Sequence, residues 1–482
     1  MNTLQRLLSN TALAFLANVA VRASTSLLFI LIGRNLGPTE SGVFTLGTTY
    51  FTIVFGLSAL GLHELLVREL SPRREESAHY LANFLAIRLA TTVLTYLLLV
   101  VALRLVLPYN AETEQVILIL SLAAIPEAIF SICQALFESH EILIVPTVAA
   151  LINSGVKIIG GFILLRSGYG VTALAWLMVA GSALSLLAYP PSLLRLFREV
   201  PQRLRANLDW AFSKAQLRET PSFFTIHLFS ILDYQTDAFL ISLLLTETDL
   251  GYYTAALTIT LAISMLSFAV RAAIYPVMAR YARTDREKLV TLHEKANQYL
   301  IAFILPVATG VALLADPIIR LIYGDAFAPA IPVLQISVWA SVFLLLNVPN
   351  ARLMIIHNRQ RAASGVTALS MGVNIVANLL LIPVLGINGS AIARLLSSIM
   401  FFLSIHIYVR RNILETSFLP TLPRPLLATI LMAAAVWPLR ELPLPIPILA
   451  GAAVYILAAL ALRVVPRRDI IYWQQILRTR PQ

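Results

Sequence analysis

Leu81-Ala82-Asn83-Phe84-Leu85-Ala86-Ile87-Arg88-Leu89-Ala90-Thr91-Thr92-Val93-Leu94-Thr95-Tyr96-Leu97-Leu98-Leu99-Val100-Val101-Ala102-Leu103-Arg104-Leu105-Val106 carries only two charges, Arg88 and Arg104. Coiled as an α-helix at about 1.5 Å per residue, this stretch exceeds the roughly 30 Å of a bilayer's hydrocarbon core. A barrel strand would alternate apolar and polar positions, whereas the run Leu97–Ala102 has no polar face. In lipid, a helix satisfies every backbone polar group of such a segment internally.

The pattern recurs along the chain. Comparable runs predict membrane helices at 11–32, 41–62, 81–106, 115–136, 142–165, 171–190, 219–245, 252–275, 299–315, 330–356, 363–384, 390–409, 421–437 and 444–463. The ninth is short, and merging it with the segment around Ile318–Ile322 lowers the count; twelve to fourteen is the range, with fourteen preferred. Composition agrees, with 58% hydrophobic and 13% charged residues and a mean hydropathy of +0.80 over 482 residues. A soluble domain carries roughly 25% charged residues. Half that fraction cannot solvate a globular surface, so the expected fold class is an all-α polytopic membrane protein.

A formal charge of +11 suggests nucleic acid until its distribution is read. With the N-terminus cytoplasmic, about 25 of the 36 Lys and Arg fall on that side of the membrane. They include Arg68, Arg73 and Arg74, then Arg195, Arg198, Arg203, Arg205, Lys214 and Arg218, then Arg280, Arg283, Arg286, Lys288 and Lys295. Arg359, Arg361, Arg410, Arg411 and the tail with Arg467, Arg468, Arg478 and Arg480 continue the series. Opposite loops hold few cations and carry Glu112, Glu114, Glu247 and Asp249 instead. This is the positive-inside pattern, so nucleic acid is not an expected partner and both termini are expected in the cytoplasm. Arg22 interrupts the apolar run that resumes through Ile32, so the N-terminus reads as a first span rather than a signal peptide. The single Cys133 lies within the fourth predicted span, which excludes a disulfide framework or a cysteine metal cluster; no metal and no cofactor is expected.

The stretch between Pro191 and Arg218 is the longest charged loop and divides the spans six and eight. Across it lies a weak repeat. Leu36-Gly37-Pro38-Thr39-Glu40-Ser41-Gly42-Val43-Phe44 aligns with Leu245-Thr246-Glu247-Thr248-Asp249-Leu250-Gly251-Tyr252-Tyr253, and Gly168–Ala175 with Gly386–Ala393. A unit of six helices repeated six spans later keeps its orientation, which makes the repeats parallel, a transporter architecture with the site between halves. The expected domains are an N-terminal six-helix bundle over 1–191, a cytoplasmic basic linker over 192–218, a C-terminal six-helix bundle over 219–411, and two additional helices with a basic tail over 412–482.

Ionisable residues within spans cost several kcal/mol unless a cavity or partner receives them, which makes them functional candidates. Arg22 is near the middle of the first span, Lys157 is central in the fifth, and Glu127 follows Pro126 in the fourth. Asp233 and Asp237 stand four residues apart in the seventh and share a helical face. Arg88, Arg271, Arg352 and Arg394 lie nearer span ends, where a long side chain also snorkels to the interface. Arg22, Arg271, Lys157 and Arg88 are the candidate cationic lining for an anionic ligand, since Arg matches phosphate oxygens bidentately. Asp233, Asp237 and Glu127 are the candidate ion-coupling carboxylates, for H⁺ or Na⁺. A structural ion-pair role for the same residues stays open.

Several motifs carry a family resemblance. Arg34-Asn35-Leu36-Gly37-Pro38 through Gly42-Val43-Phe44 resembles the R-x-L-G-P-x-x-x-G-x-[YF] motif of the polysaccharide-type lipid-linked oligosaccharide flippases. These belong to the multidrug/oligosaccharidyl-lipid/polysaccharide exporter superfamily. Leu57–Leu62 with Arg68, Asp237 through Gly251-Tyr252-Tyr253-Thr254-Ala255-Ala256, Leu321-Ile322-Tyr323-Gly324, and Asn378-Leu379-Leu380-Leu381-Ile382-Pro383 with Gly386 and Gly389 follow in family order. The resemblance covers about residues 10–410 and departs where a usual G-A-A reads Gly389-Ser390-Ala391. It implies a V-shaped pair of six-helix bundles that moves a polyprenyl-(pyro)phosphate-linked oligosaccharide across the cytoplasmic membrane by alternating access. It also implies that Arg22 and Arg271 lie on cavity-lining helices, that the last two helices guide the lipid tail, and that membrane lipid and polysaccharide polymerase or ligase machinery are partners.

No phosphate-cradling Walker loop is present, so energy is expected from an ion gradient or the membrane potential, and no covalent chemistry is expected. Four rival readings remain: a multidrug antiporter of the same superfamily, a peptidoglycan-precursor flippase, a structural or assembly scaffold, and a membrane glycan ligase or glycosyltransferase. An Arg-lined cavity argues against the first. Against the last, the seven histidines His63, His79, His140, His227, His293, His357 and His406 are scattered, and the outer loops are short.

Overall fold

The computed structural model describes residues 3–107, 109–199, 207–264 and 266–464. Arg203, Arg205 and the tail residues Arg467, Arg468, Arg478 and Arg480 lie outside them, as does the side chain of His227. The described residues form helices and turns, with no strand among them.

The first two predicted spans form one kinked helix, α1 (Thr3–Ala59), which breaks at Gly37 (φ 86°, ψ −174°). That conformation is open to glycine and costly for any L-residue, and Pro38 after it has no N–H to continue the ladder. α2 (Leu62–Leu70) and α3 (Ser77–Leu105) follow. The fourth span is α4 (Ala111–Leu122) with α5 (Ala124–Ser139), and the fifth is α6 (Ile144–Gly155), a π-helical turn at Val156–Gly160, and α7 (Gly161–Arg166). The sixth is α8 (Val171–Ser185).

The basic linker, expected as a loop, holds two helices, α9 (Tyr189–Glu199) and α10 (Trp210–Glu219). Asp209 caps α10 by accepting from the Phe212 N–H at 3.0 Å. Phe212 then meets His79 and Tyr80 of α3 edge-on, at ring centroids of 4.6 and 4.9 Å. Asn83 fixes the same segment: its Oδ1 accepts from Asp209 N at 2.8 Å and Ser213 Oγ at 3.0 Å, and its Nδ2 donates to Asn207 O at 2.9 Å.

α11 (Pro221–Leu244) carries the seventh predicted span, and α12 (Glu247–Ser264) with α13 (Leu266–Thr284) the eighth. α14 (Arg286–Leu313), capped by Asp285, carries the ninth. It does not merge with the segment after it: α15 (Ala315–Tyr323) is a separate short helix whose exposed Arg320 pairs with Asp316 at 2.8 Å and with Asp325. Those charges keep α15 out of hydrocarbon. α16 (Ala330–Ile356), α17 (Gln360–Leu385), α18 (Ile387–Asn412), α19 (Pro423–Val436) and α20 (Pro445–Ala461) complete the chain. Among the described residues ten helical stretches are long and apolar enough to cross a membrane, the first of them, Val19–Leu70, holding the first two predicted spans. The seventh, eighth and fourteenth predicted spans fall on helices outside those ten. The chain is therefore a multi-pass, all-α membrane protein.

The contacts divide the chain into two units, 1–251 and 252–482. In the first, α1 packs on α4, α6 and α11. The two stretches aligned as a repeat meet each other there. A Cβ on Gly42 would lie 1.6 Å from Glu247 O, and one on Gly251 would lie 2.0 Å from Pro38 O. Thr39 Oγ1 and Thr248 Oγ1 share a hydrogen bond of 2.8 Å. Gly42 meets Glu247, the counterpart of Pro38, while Gly251, the counterpart of Gly42, meets Pro38, and Thr39 bonds its own counterpart, the reciprocity of a local two-fold. In the second unit α16 is central, packing on α13, α14 and α18, while α17 lies on α18 and α19 on α20.

A further short repeat has the same local hydrogen bonding in both copies. His79-x-x-Ala82-Asn83 at the start of α3 recurs as His293-x-x-Ala296-Asn297 in α14. In both, the Asn Nδ2 donates to the His carbonyl, at 2.9 and 3.0 Å. One motif holds the linker; the other holds Asn350 Oδ1 of α16, at 3.1 Å from His293 Nε2.

Candidate functional site

Charge within the apolar helices collects in three places. In the second unit α13 and α16 bring Arg271 and Arg352 within mutual electrostatic reach. Tyr275, one helical turn after Arg271, presents its ring 5.8 Å from the Arg352 guanidinium carbon. Arg352 Nε is buried with no hydrogen-bond partner among the described residues. Arg271 has further interactions within the structure, and two like charges on packed helices repel, so an anion reaching both relieves that repulsion.

In the first unit Glu127 of α5 faces α6 and α8. Its Oε1 accepts from Ser182 Oγ at 2.8 Å and from Asn153 Nδ2 at 3.0 Å. Lys157, one turn beyond Asn153 and within the π-helical turn, is 9% exposed and electrostatically coupled to Glu127. The extra residue in a π-turn breaks the 3.6-residue register and turns a side chain to a face it would otherwise miss.

The third place is Arg88 of α3, only 1% exposed. Its guanidinium donates to Ser58 Oγ and Phe55 O, both at 3.0 Å, and lies 4.6 Å from the Phe55 ring centroid. It is embedded against α1 and does not snorkel. Arg22 is exposed on α1. On α11, Asp237 is 1% exposed and Asp233 half-buried; both, like Arg22 and Arg394, have interactions within the structure.

Of the residues singled out in the sequence, Glu127 and Lys157 are thus brought together, and so are Arg271 and Arg352, although Arg352 had only a snorkelling role to recommend it. Asn153 and Ser182, the donors to Glu127, gave no sequence signal beyond being polar within apolar runs. Among the described residues no group of three or more His, Cys, Asp or Glu side chains is placed to hold a metal.

Outside the membrane, His140 Nε2 bonds Ser77 Oγ at 2.8 Å in the turn between α5 and α6. Burial, with the Arg74 charge beside it, holds His140 below the ordinary histidine value.

A family model described as "Polysaccharide biosynthesis protein" matches residues 7–332. A protein of Haloferax volcanii named "Probable low-salt glycan biosynthesis flippase Agl15" is 24% identical over 384 residues, 80% of this chain and 79% of that one. Among solved structures, "Lipid II flippase MurJ, inward closed conformation" superposes with a TM-score of 0.76 at 17% identity, covering 95% of this chain and 99% of that one. An inward-facing multidrug resistance MATE family transporter of the MOP superfamily superposes at 0.60 and 15% identity, covering 80% and 94%. At those identities the two structures establish the fold alone.

Proposed function

The chain belongs to the polysaccharide biosynthesis protein family, and on that footing we propose that it is a flippase carrying a polyprenyl-(pyro)phosphate-linked oligosaccharide across the cytoplasmic membrane by alternating access, for assembly of a surface polysaccharide. The observation that carries this reading is the pair Arg271 and Arg352. Guanidinium groups held within reach of each other offer paired N–H donors to phosphate oxygens and stay charged at any physiological pH. Arg22 is assigned to the same task on α1. Lys157 and Arg88 are engaged elsewhere, with Glu127 and with Ser58 and Phe55, so the anchor centres on the arginines.

The flippase named in Haloferax volcanii supports the substrate class. The assigned halves are 1–191 and 219–411, joined by the linker 192–218, with 412–482 as an added helix pair and both termini in the cytoplasm. Asp233, Asp237 and Glu127 are assigned to coupling with H⁺ or Na⁺, and the partners are membrane lipid and the polymerase or ligase that consumes the flipped unit. This is transport rather than catalysis. A multidrug antiporter shares the fold, but its cationic ligands would be repelled by paired arginines.

The test is deletion of the gene in its native host, followed by mass spectrometry of membrane lipids. A polyprenyl-linked oligosaccharide is expected to accumulate while the surface polymer disappears, and the wild-type gene, but not Arg271→Ala or Arg352→Ala, should reverse both. Intact surface glycan with new sensitivity to cationic dyes would move the assignment to the antiporter.

A further inference from the structure

Resting on that reading of an ion-driven flippase, we propose that Glu127 and Lys157 form its proton-binding pair in the first unit. Glu127 takes up and releases the proton, and the Lys157 ammonium lies near enough to disfavour a metal cation there.

The geometry favours a proton over a metal. Hard cations require a shell of oxygen ligands with lone pairs aimed inward. Here both neutral neighbours of Glu127 are donors, Ser182 Oγ at 2.8 Å and Asn153 Nδ2 at 3.0 Å, and both are spent on the same Oε1. The Asn153 carbonyl points away, toward Gly181 of α8, where a Cβ would lie 3.1 Å from it. That leaves Oε2 as the atom to carry a proton. A fixed ammonium nearby repels a second cation, while a proton on Oε2 makes the group neutral and needs no shell.

The pair is also poised rather than locked. Lys157 is buried and feels the Glu127 charge, yet no ion pair within 4.0 Å joins them. A locked buried pair would have closed that distance, because attraction falls with separation and the desolvation cost is already incurred. The π-turn that displays Lys157 is bounded by glycines: Gly160 meets Leu177 of α8, and Gly161 meets Leu28 of α1, each with 2.5 Å left for a Cβ. Tyr189 at the start of α9 also faces Glu127, as well as Cys133 and Glu138 of α5 itself.

Uptake converts a carboxylate beside an ammonium, net zero, into a carboxylic acid beside an ammonium, net +1. The only bond formed is Oε2–H, the proton arriving from water on one side of the membrane. Release breaks that bond and returns the proton to water on the other. A site whose net charge changes by one within low-dielectric surroundings biases whichever conformation solvates it better.

Infrared difference spectra of the full-length protein in lipid bilayers, recorded across pH steps in K⁺, read this group directly. The wild type is expected to show a carboxylic-acid carbonyl band that titrates with pH. Glu127→Gln, which keeps an Oε1 for Asn153 and Ser182, should abolish it. Lys157→Met should raise its midpoint by about one to three pH units, the size of an opposite charge removed from close range. Lys157→Arg keeps the cation and should leave the midpoint in place. A band that survives Glu127→Gln, or a midpoint indifferent to Lys157→Met, would overturn the pair. A wild-type midpoint that moves when Na⁺ replaces K⁺ would overturn the choice of proton over metal. If Lys157→Met does not fold, Lys157→Gln and the Glu127→Gln spectrum decide the question. None of these spectra involves a lipid-linked sugar, so they stand or fall separately from the deletion experiment.

Discussion

The two units hold the cations of their apolar helices in opposite ways. In the first, Lys157 lies beside a carboxylate, Glu127. In the second, Arg352 lies beside another cation, Arg271, with an aromatic ring rather than an acid at its flank. A cation beside its counter-charge is self-contained, and its occupancy is set by protons. Like charges side by side store a repulsion that an incoming anion relieves. On the proposed reading the difference separates an ion site from a substrate site, although both hold basic residues within apolar helices.

The largest effect expected from this contrast is on export. Hydrogen bonds to charged groups contribute about 1.5–3 kcal/mol, so Arg271→Ala or Arg352→Ala should lower export roughly 10- to 150-fold at unchanged protein level. Surface polymer in the complemented deletion strain measures it. Stability should split in sign. Lys157→Met leaves Glu127 without its nearby cation and should cost about 1–3 kcal/mol, below the figure for a broken buried ion pair because the two are not in contact and Glu127 is partly exposed. Arg352→Met removes a repulsion and should cost nothing or stabilise. Chemical denaturation in one detergent compares the two; a shared sign would erase the distinction drawn here.

How much of this could be read in the chain differs by level. The spans were legible because a run such as Leu97–Ala102 admits one conformation in lipid. The linker helices were not legible: α9 and α10 are short, and the docking of α10 depends on Asn83 and His79, more than a hundred residues earlier in the chain. At the sites, the costly residue types gave Lys157, Glu127 and Arg271 away. Their partners did not, because Asn153 and Ser182 are ordinary polar residues and the π-turn at Val156–Gly160 leaves no mark in the spacing. Arg352 near a span end looks like any snorkelling arginine until α13 lies against α16.

The smallest expected effect calibrates the pH axis outside the membrane. His140 has a folded-state value below its unfolded one, so the unfolded chain binds the extra proton as pH drops. The contribution of His140 is fully present above about pH 6.5 and is lost as pH falls from there toward the folded value. His140→Gln should flatten that limb of a melting-temperature profile while leaving the Glu127 infrared band unmoved. Loss of both together would mean that the two groups are coupled.

Titration of the purified protein with farnesyl pyrophosphate, with farnesol as the control, tests the anion receptor most directly. The arginine pair predicts saturable binding of the pyrophosphate and none of the alcohol. Affinity should weaken at least about tenfold in Arg271→Ala and in Arg352→Ala and stay unchanged in Glu127→Gln, since one charge-assisted bond is involved in the first two and none in the third. Equal affinity for pyrophosphate and alcohol, or binding indifferent to both arginines, would contradict it.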